Sequence, residues 1–76
     1  MIDKNEFKNG MVKLCNAFDY KFNQDSVPVY WEYISKQIKN KEEFKKVTDY
    51  IIMNNRFFPR ISDFTIAVGK TIKPVF

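Results

Sequence analysis

The chain has no histidine, a single cysteine, two glycines and three prolines among its 76 residues. Each shortage closes a class of chemistry. Without histidine, and with Cys15 alone, a zinc site of the usual Cys/His type cannot be assembled. The same lack leaves no imidazole to activate Cys15 as a nucleophile. A lone cysteine also precludes an intrachain disulfide, which points to a reducing compartment. Two glycines leave no glycine-rich loop to cradle a phosphate. Apolar runs extend over only a few residues, far short of the roughly 20 that cross a bilayer. The opening Asp3-Lys4-Asn5-Glu6 does not read as a signal peptide. A cytoplasmic protein without metal, cofactor or membrane span is the expectation.

What the chain does have is apolar and aromatic mass. Hydrophobic residues make up 45% and aromatic residues 17%, with eight Phe, four Tyr and one Trp. A chain this short hides only roughly 60% of the surface that it exposes when unfolded. This payload is enough for one core without disulfide or metal staples. A single helical domain over residues 1–69 is expected, with residues 70–76 as a C-terminal tail.

Spacing and punctuation predict an all-α fold, a compact bundle of three main helices plus a short C-terminal helix. Asp3 and Glu6 make a capping-box pattern, with Ile2 and Phe7 at the staple positions around it. Phe7, Met11, Leu14, Cys15 and Phe18 then recur at helical spacing, predicting a helix from about Lys4 to Phe18. Residues 19–24 lack the period and read as a connection. Asp25 or Ser26 is the expected cap of the second helix, and Pro28 fits its first turn. Its stripe is Val27, Tyr30, Trp31, Ile34 and Ile38. Asn40 and Glu43 announce a third helix that buries Phe44, Val47, Tyr50 and Ile51 and ends near Asn54 or Asn55. Lys41, Lys45, Lys46 and Asp49 are expected to face water. Pro59 biases Phe58 to an extended conformation. Ser62 is then the expected cap of a helix from Asp63 to Val68, closed by Gly69. Ile72 and Val75 would permit a short strand in the tail.

Few residues here suggest catalysis. Glu42 and Glu43 diverge by about 100° on a helix and cannot share a proton. Asp3, Glu6, Glu43 and Asp63 all have helix-start explanations. Cys15 lies on an apolar stripe and is read as a buried thiol. A non-enzymatic protein is expected.

The aromatic set is larger than a small helical core obviously absorbs. Phe18, Phe22 and Trp31 are read as core, whereas Tyr33 falls off the stripe of the second helix. Alternation along an extended segment turns either Phe57 or Phe58 outward. For these side chains, packing and recognition both stand as readings. Charge is uneven too. Residues 1–55 carry nine basic and eight acidic groups, whereas Arg56, Arg60, Lys70 and Lys73 face only Asp63 in residues 56–76. A solvated surface explains this excess, and so does a patch for phosphate or an acidic protein surface. The residues expected to touch a partner are Arg56, Phe57, Phe58 and Arg60, together with Tyr33.

The segment Tyr30-Trp31-Glu32-Tyr33, the run Val47 to Ile51 and the stretch Phe58-Pro59-Arg60-Ile61-Ser62-Asp63-Phe64 resemble the small phage helicase loader/inhibitor family, whose members control the DnaB-type replicative helicase. The opening Ile2-Asp3-Lys4-Asn5-Glu6-Phe7 is also similar to the start of many such phage proteins. The resemblance covers residues 2–68 and implies a compact all-α domain that binds a replication protein. It further implies the host bacterial cytoplasm as the setting. Arg60 stands where that family usually shows a second proline.

The expected function is therefore that of a small adaptor for a protein partner, with the replicative helicase as the first candidate. Direct nucleic-acid binding by Lys41, Lys45 and Lys46 is the alternative, tempered by a net charge of only +4. Inhibition of another host enzyme or defence complex is a further one, and exposed Phe would also suit a homodimer.

Overall fold

Four helices and two single 3₁₀ turns follow one another in a computed structural model that describes residues 2–72. They are α1 (Lys4–Ala17), α2 (Val27–Ile34), α3 (Lys41–Asn54) and α4 (Ile61–Thr71), with the 3₁₀ turns Gln24–Ser26 and Ser35–Gln37 on either side of α2. No strand occurs among the described residues.

α1 begins as its sequence dictates. The Asp3 carboxylate accepts from the Asn5 amide at 2.7 Å, and Glu6 accepts from the Asp3 amide at 3.2 Å. Ile2 and Phe7 are both buried beside this cap, as a hydrophobic staple requires. Met11 and Leu14 continue the buried face, whereas Cys15 and Phe18 are only half-buried. The expectation of a buried thiol is corrected accordingly: Cys15 is of intermediate exposure, at the edge of the stripe.

The start of α2 also needs correction. Neither Asp25 nor Ser26 caps it: Ser26 has helical backbone and makes no side-chain cap bond. The cap lies one turn earlier, where Asn23 accepts from the Asp25 amide at 2.9 Å and opens the 3₁₀ turn that runs straight into α2. α2 stops at Ile34, four residues before the predicted stripe does. The second 3₁₀ turn then returns an extended Ile38 to the core, so Ile34 and Ile38 are both buried.

In α3 the Asn40 side chain accepts from the Glu43 amide at 2.9 Å, as expected. Glu43 reaches one residue further than a capping box does and accepts from the Lys39 amide at 2.8 Å. The buried face is Phe44, Val47, Thr48 and Ile51, with Tyr50 half-buried. Thr48 tolerates burial because its hydroxyl donates to the Lys45 carbonyl at 3.0 Å.

The fourth helix is longer than predicted. It starts at Ile61 with Arg60 in the cap position, and Asp63, not Ser62, supplies the bond, accepting from the Arg60 amide at 2.9 Å. Gly69 does not end it. No glycine has a positive φ, and the chain stays helical through Gly69 to Thr71. The Ile72 amide still donates to the Val68 carbonyl, so Ile72 closes a helix and does not begin a strand. Val75 lies outside the described residues.

α3 packs against both α1 and α4, and α2 closes the bundle against α4. Leu14, Ile34, Val47, Ile51, Phe64 and Ala67 are fully sequestered where these helices meet. The radius of gyration, 11.4 Å, matches that of a compact chain of this length.

Candidate functional site

The loop between α3 and α4 owes its shape to Pro59. Asn55 ends α3 in extended backbone, its amide donating to the Ile51 carbonyl at 2.8 Å. Pro59 biases Phe58 away from helical backbone, and the chain bends at Arg56 and Phe57 just before it. Phe57 points outward and is 79% exposed, whereas Phe58 turns in.

The inward ring meets an aromatic nest. Phe58 stacks on Tyr20 with centroids 4.2 Å apart, and Phe22 and Phe18 lie 5.3 and 6.3 Å from it. Tyr30 stands edge-on to Phe22 at 5.0 Å and to Phe64 at 6.0 Å. Its hydroxyl donates to the carbonyl of the buried Pro59 at 3.1 Å. Burial pushes the Tyr30 hydroxyl above its ordinary pKa, reinforced by Tyr20 and Asp63 and opposed by Arg60. The connection over residues 19–24 thus has a purpose that its lack of period conceals: Tyr20 and Phe22 hold the second loop.

The exposed residues of this segment are few. Arg56 and Arg60 are exposed on either side of Phe57. Met53, in the last turn of α3, is 81% exposed. Of the expected contact residues, Arg56, Phe57 and Arg60 are exposed on this loop, whereas Phe58 is half-buried against the aromatic nest. Tyr33 lies on another element. It is exposed on α2, where the Gln37 amide donates both to its carbonyl and to the Thr65 hydroxyl on α4, each at 3.1 Å. Met53 was not foreseen, although its position off the Phe44–Val47–Ile51 stripe marks it as outward.

Of the lysines of α3, Lys45 is less available than its spacing suggests. Lys41, Lys45 and Lys46 are exposed. Asp49, half-buried where water was expected around it, bonds Lys13 of α1 and Lys45 of its own helix. The bond from Lys13, and then that from Lys45, hold the Asp49 carboxyl below its ordinary pKa. Beside this pair lies a shallow depression of about 320 Å³, with Glu6 and Glu42 facing Lys13, Lys41 and Lys45. Its charges are mixed. Burial raises the pKa of the Cys15 thiol, against a smaller opposing effect of the Phe22 backbone. Among the described residues no three Cys, Asp or Glu side chains gather as metal ligands, and no helix is long and apolar enough to cross a membrane.

Comparison with protein families, with curated proteins and with solved structures finds no match to this chain.

Proposed function

We propose that this protein is a non-enzymatic adaptor that binds another protein through the loop Arg56–Arg60. The supporting observation is Phe57, 79% exposed on a loop whose neighbours Phe58 and Pro59 are anchored in the bundle. Full burial of a side chain such as Phe57 or Met53 contributes about 1.5–3 kcal/mol. The loop is ordered beforehand, so less of this is offset by the ordering cost of about 0.5–1.5 kcal/mol per side chain. Arginines beside an aromatic anchor suit a partner with an apolar pocket and an acidic rim.

A replication protein, and first a DnaB-type helicase, is the partner that the resemblance of residues 2–68 suggests. That would make the protein a loader- or inhibitor-like phage factor acting in the bacterial cytoplasm. The pairing of Lys13 and Lys45 with Asp49 weighs against α3 as a nucleic-acid reader.

The test is capture of partners from nuclease-treated bacterial lysate at low and high salt, read by mass spectrometry, with the wild type beside Phe57→Ala and Arg56→Glu/Arg60→Glu. The wild type is expected to retain the helicase at both salts. Each variant should lose at least about tenfold in capture with unchanged helicity. Equal capture by wild type and both variants would remove the loop as the contact. Recovery that vanishes with nuclease would favour nucleic acid, and a Phe57-dependent dimer in sedimentation would assign the loop to self-association.

A further inference from the structure

A second surface lies near the other end of α1. The first two turns of α1 and the start of α2 enclose an open groove of about 520 Å³, lined by Lys4, Lys8, Gln24, Val27, Pro28 and Trp31 among others. Its apolar part is Val27, Pro28 and the half-buried Trp31, whose ring is held edge-on by Phe7 with centroids 5.3 Å apart. Lys4 and Lys8 stand on its rim, and no carboxylate among the described residues lines it. Neither lysine forms an ion pair among the described residues, unlike Lys13 and Lys45 of the neighbouring depression. On the α1 side the groove and the Phe57 loop are apart: Lys4 and Phe18, which touches Phe58, lie roughly 20 Å apart along the helix at 1.5 Å per residue. On the α2 side they are nearer, since Tyr30, next to Trp31, bonds the Pro59 carbonyl.

From this combination we infer that the groove is a docking site for an acidic segment of a protein partner, which lays an aliphatic side chain against Trp31 and Pro28 and sets carboxylates against Lys4 and Lys8. Charge complementarity selects this occupant. The volume is that of a typical ligand cleft, and the charged groups that line it among the described residues are both cations. A nucleic-acid strand fits less well. Backbone binding needs a longer track of cations than two. With the Phe57 loop at the other end of α1, the domain would hold two partners, or two parts of one, at once.

Trp31 is the only tryptophan in the chain, so its fluorescence reports on the groove alone. The experiment titrates the full chain with a short peptide alternating Glu and Leu, with a Lys–Leu counterpart and with an oligothymidine. The Glu–Leu peptide is expected to give a saturable change in Trp31 emission that weakens with salt. Its affinity should fall at least about tenfold in Lys4→Glu/Lys8→Glu and stay within about twofold in Phe57→Ala. The charge-reversed pair retains its fold, because acidic residues near a helix N-terminus are favourable; circular dichroism checks this. A Lys4→Gln/Lys8→Gln pair should fall between it and the wild type. No saturable change with the Glu–Leu peptide, or equal affinity in wild type and charge-reversed pair, would overturn the proposal. So would a stronger response to the Lys–Leu peptide, and saturation by oligothymidine alone would give the groove to nucleic acid.

Discussion

Gly10 and Gly69 both sit inside helices, and a methyl group added to each has opposite expected consequences. At Gly10 a Cβ would run into the ring of Phe44, which is buried at the α1–α3 crossing. Overpacking of this kind costs about 1–3 kcal/mol, more than the ~1 kcal/mol that alanine gains in helix propensity. Gly10→Ala should therefore lower stability by up to about 2 kcal/mol in urea unfolding. At Gly69 no atom lies within reach of a Cβ, and the backbone is ordinary helix. Gly69→Ala should raise stability by about 0.5–1 kcal/mol in the same measurement. Read as punctuation, Gly69 looked like a helix end and Gly10 carried no signal. The sequence spells both residues alike; only their neighbours tell them apart.

At the scale of the element, α4 shows how a start signal is misassigned. Ser62 is a good cap type, yet Pro59 leaves Arg60 as the last extended residue, so the helix opens at Ile61 and Ser62 falls inside its first turn. Asp63 then supplies both the bond to the Arg60 amide and a negative charge at the positive end of the helix. Asp63→Ala should cost about 0.5–1.5 kcal/mol. Asp63→Asn, which keeps the acceptor and drops the charge, should cost less, and Ser62→Ala should be nearly neutral. Thermal unfolding of the three variants separates these assignments: a Ser62→Ala loss as large as that of Asp63→Ala would restore Ser62 as the cap. α2 shows the same kind of shift. Its cap residue Asn23 went unnoticed because a 3₁₀ turn stands between the cap and the apolar stripe.

At the scale of the whole molecule, Asp49 ties α1 to α3 through Lys13, a bond across 36 positions of sequence. Its folded pKa lies below the ordinary value, so the pairing contributes stability at neutral pH. That contribution is lost as pH falls from the unfolded carboxylate pKa of about 4 down through the folded one. Its partners are substantially exposed, with side chains 44% (Lys13) and 72% (Lys45) accessible, so the contribution is held to about 0.5–1 kcal/mol. Asp49→Asn should therefore be less stable than wild type by that amount at pH 7 and equal to it near pH 2. A gap of the same size at both pH values would show that the loss is not electrostatic. Asp49 also bears on function, because it occupies Lys45, one of the three α3 lysines from which a nucleic-acid reader would be built.

Local rules carried the sequence a long way. Helix class, the cap of α1, the bond from Asn40, the Pro59 break and most of the core follow from interactions within a few residues, where a chain has little choice of geometry. Alternation also predicts the outward turn of either Phe57 or Phe58. Which of the two it is depends on where Tyr20, Phe22 and Tyr30 arrive, and those come from segments 28 or more positions away. The groove around Trp31 likewise exists only where α1 and α2 meet, although each lysine on its rim reads as an ordinary surface charge. Spacing along the chain fixes which face of a helix is apolar. How two faces meet, and what they leave open between them, is decided by side-chain volumes packed across the bundle.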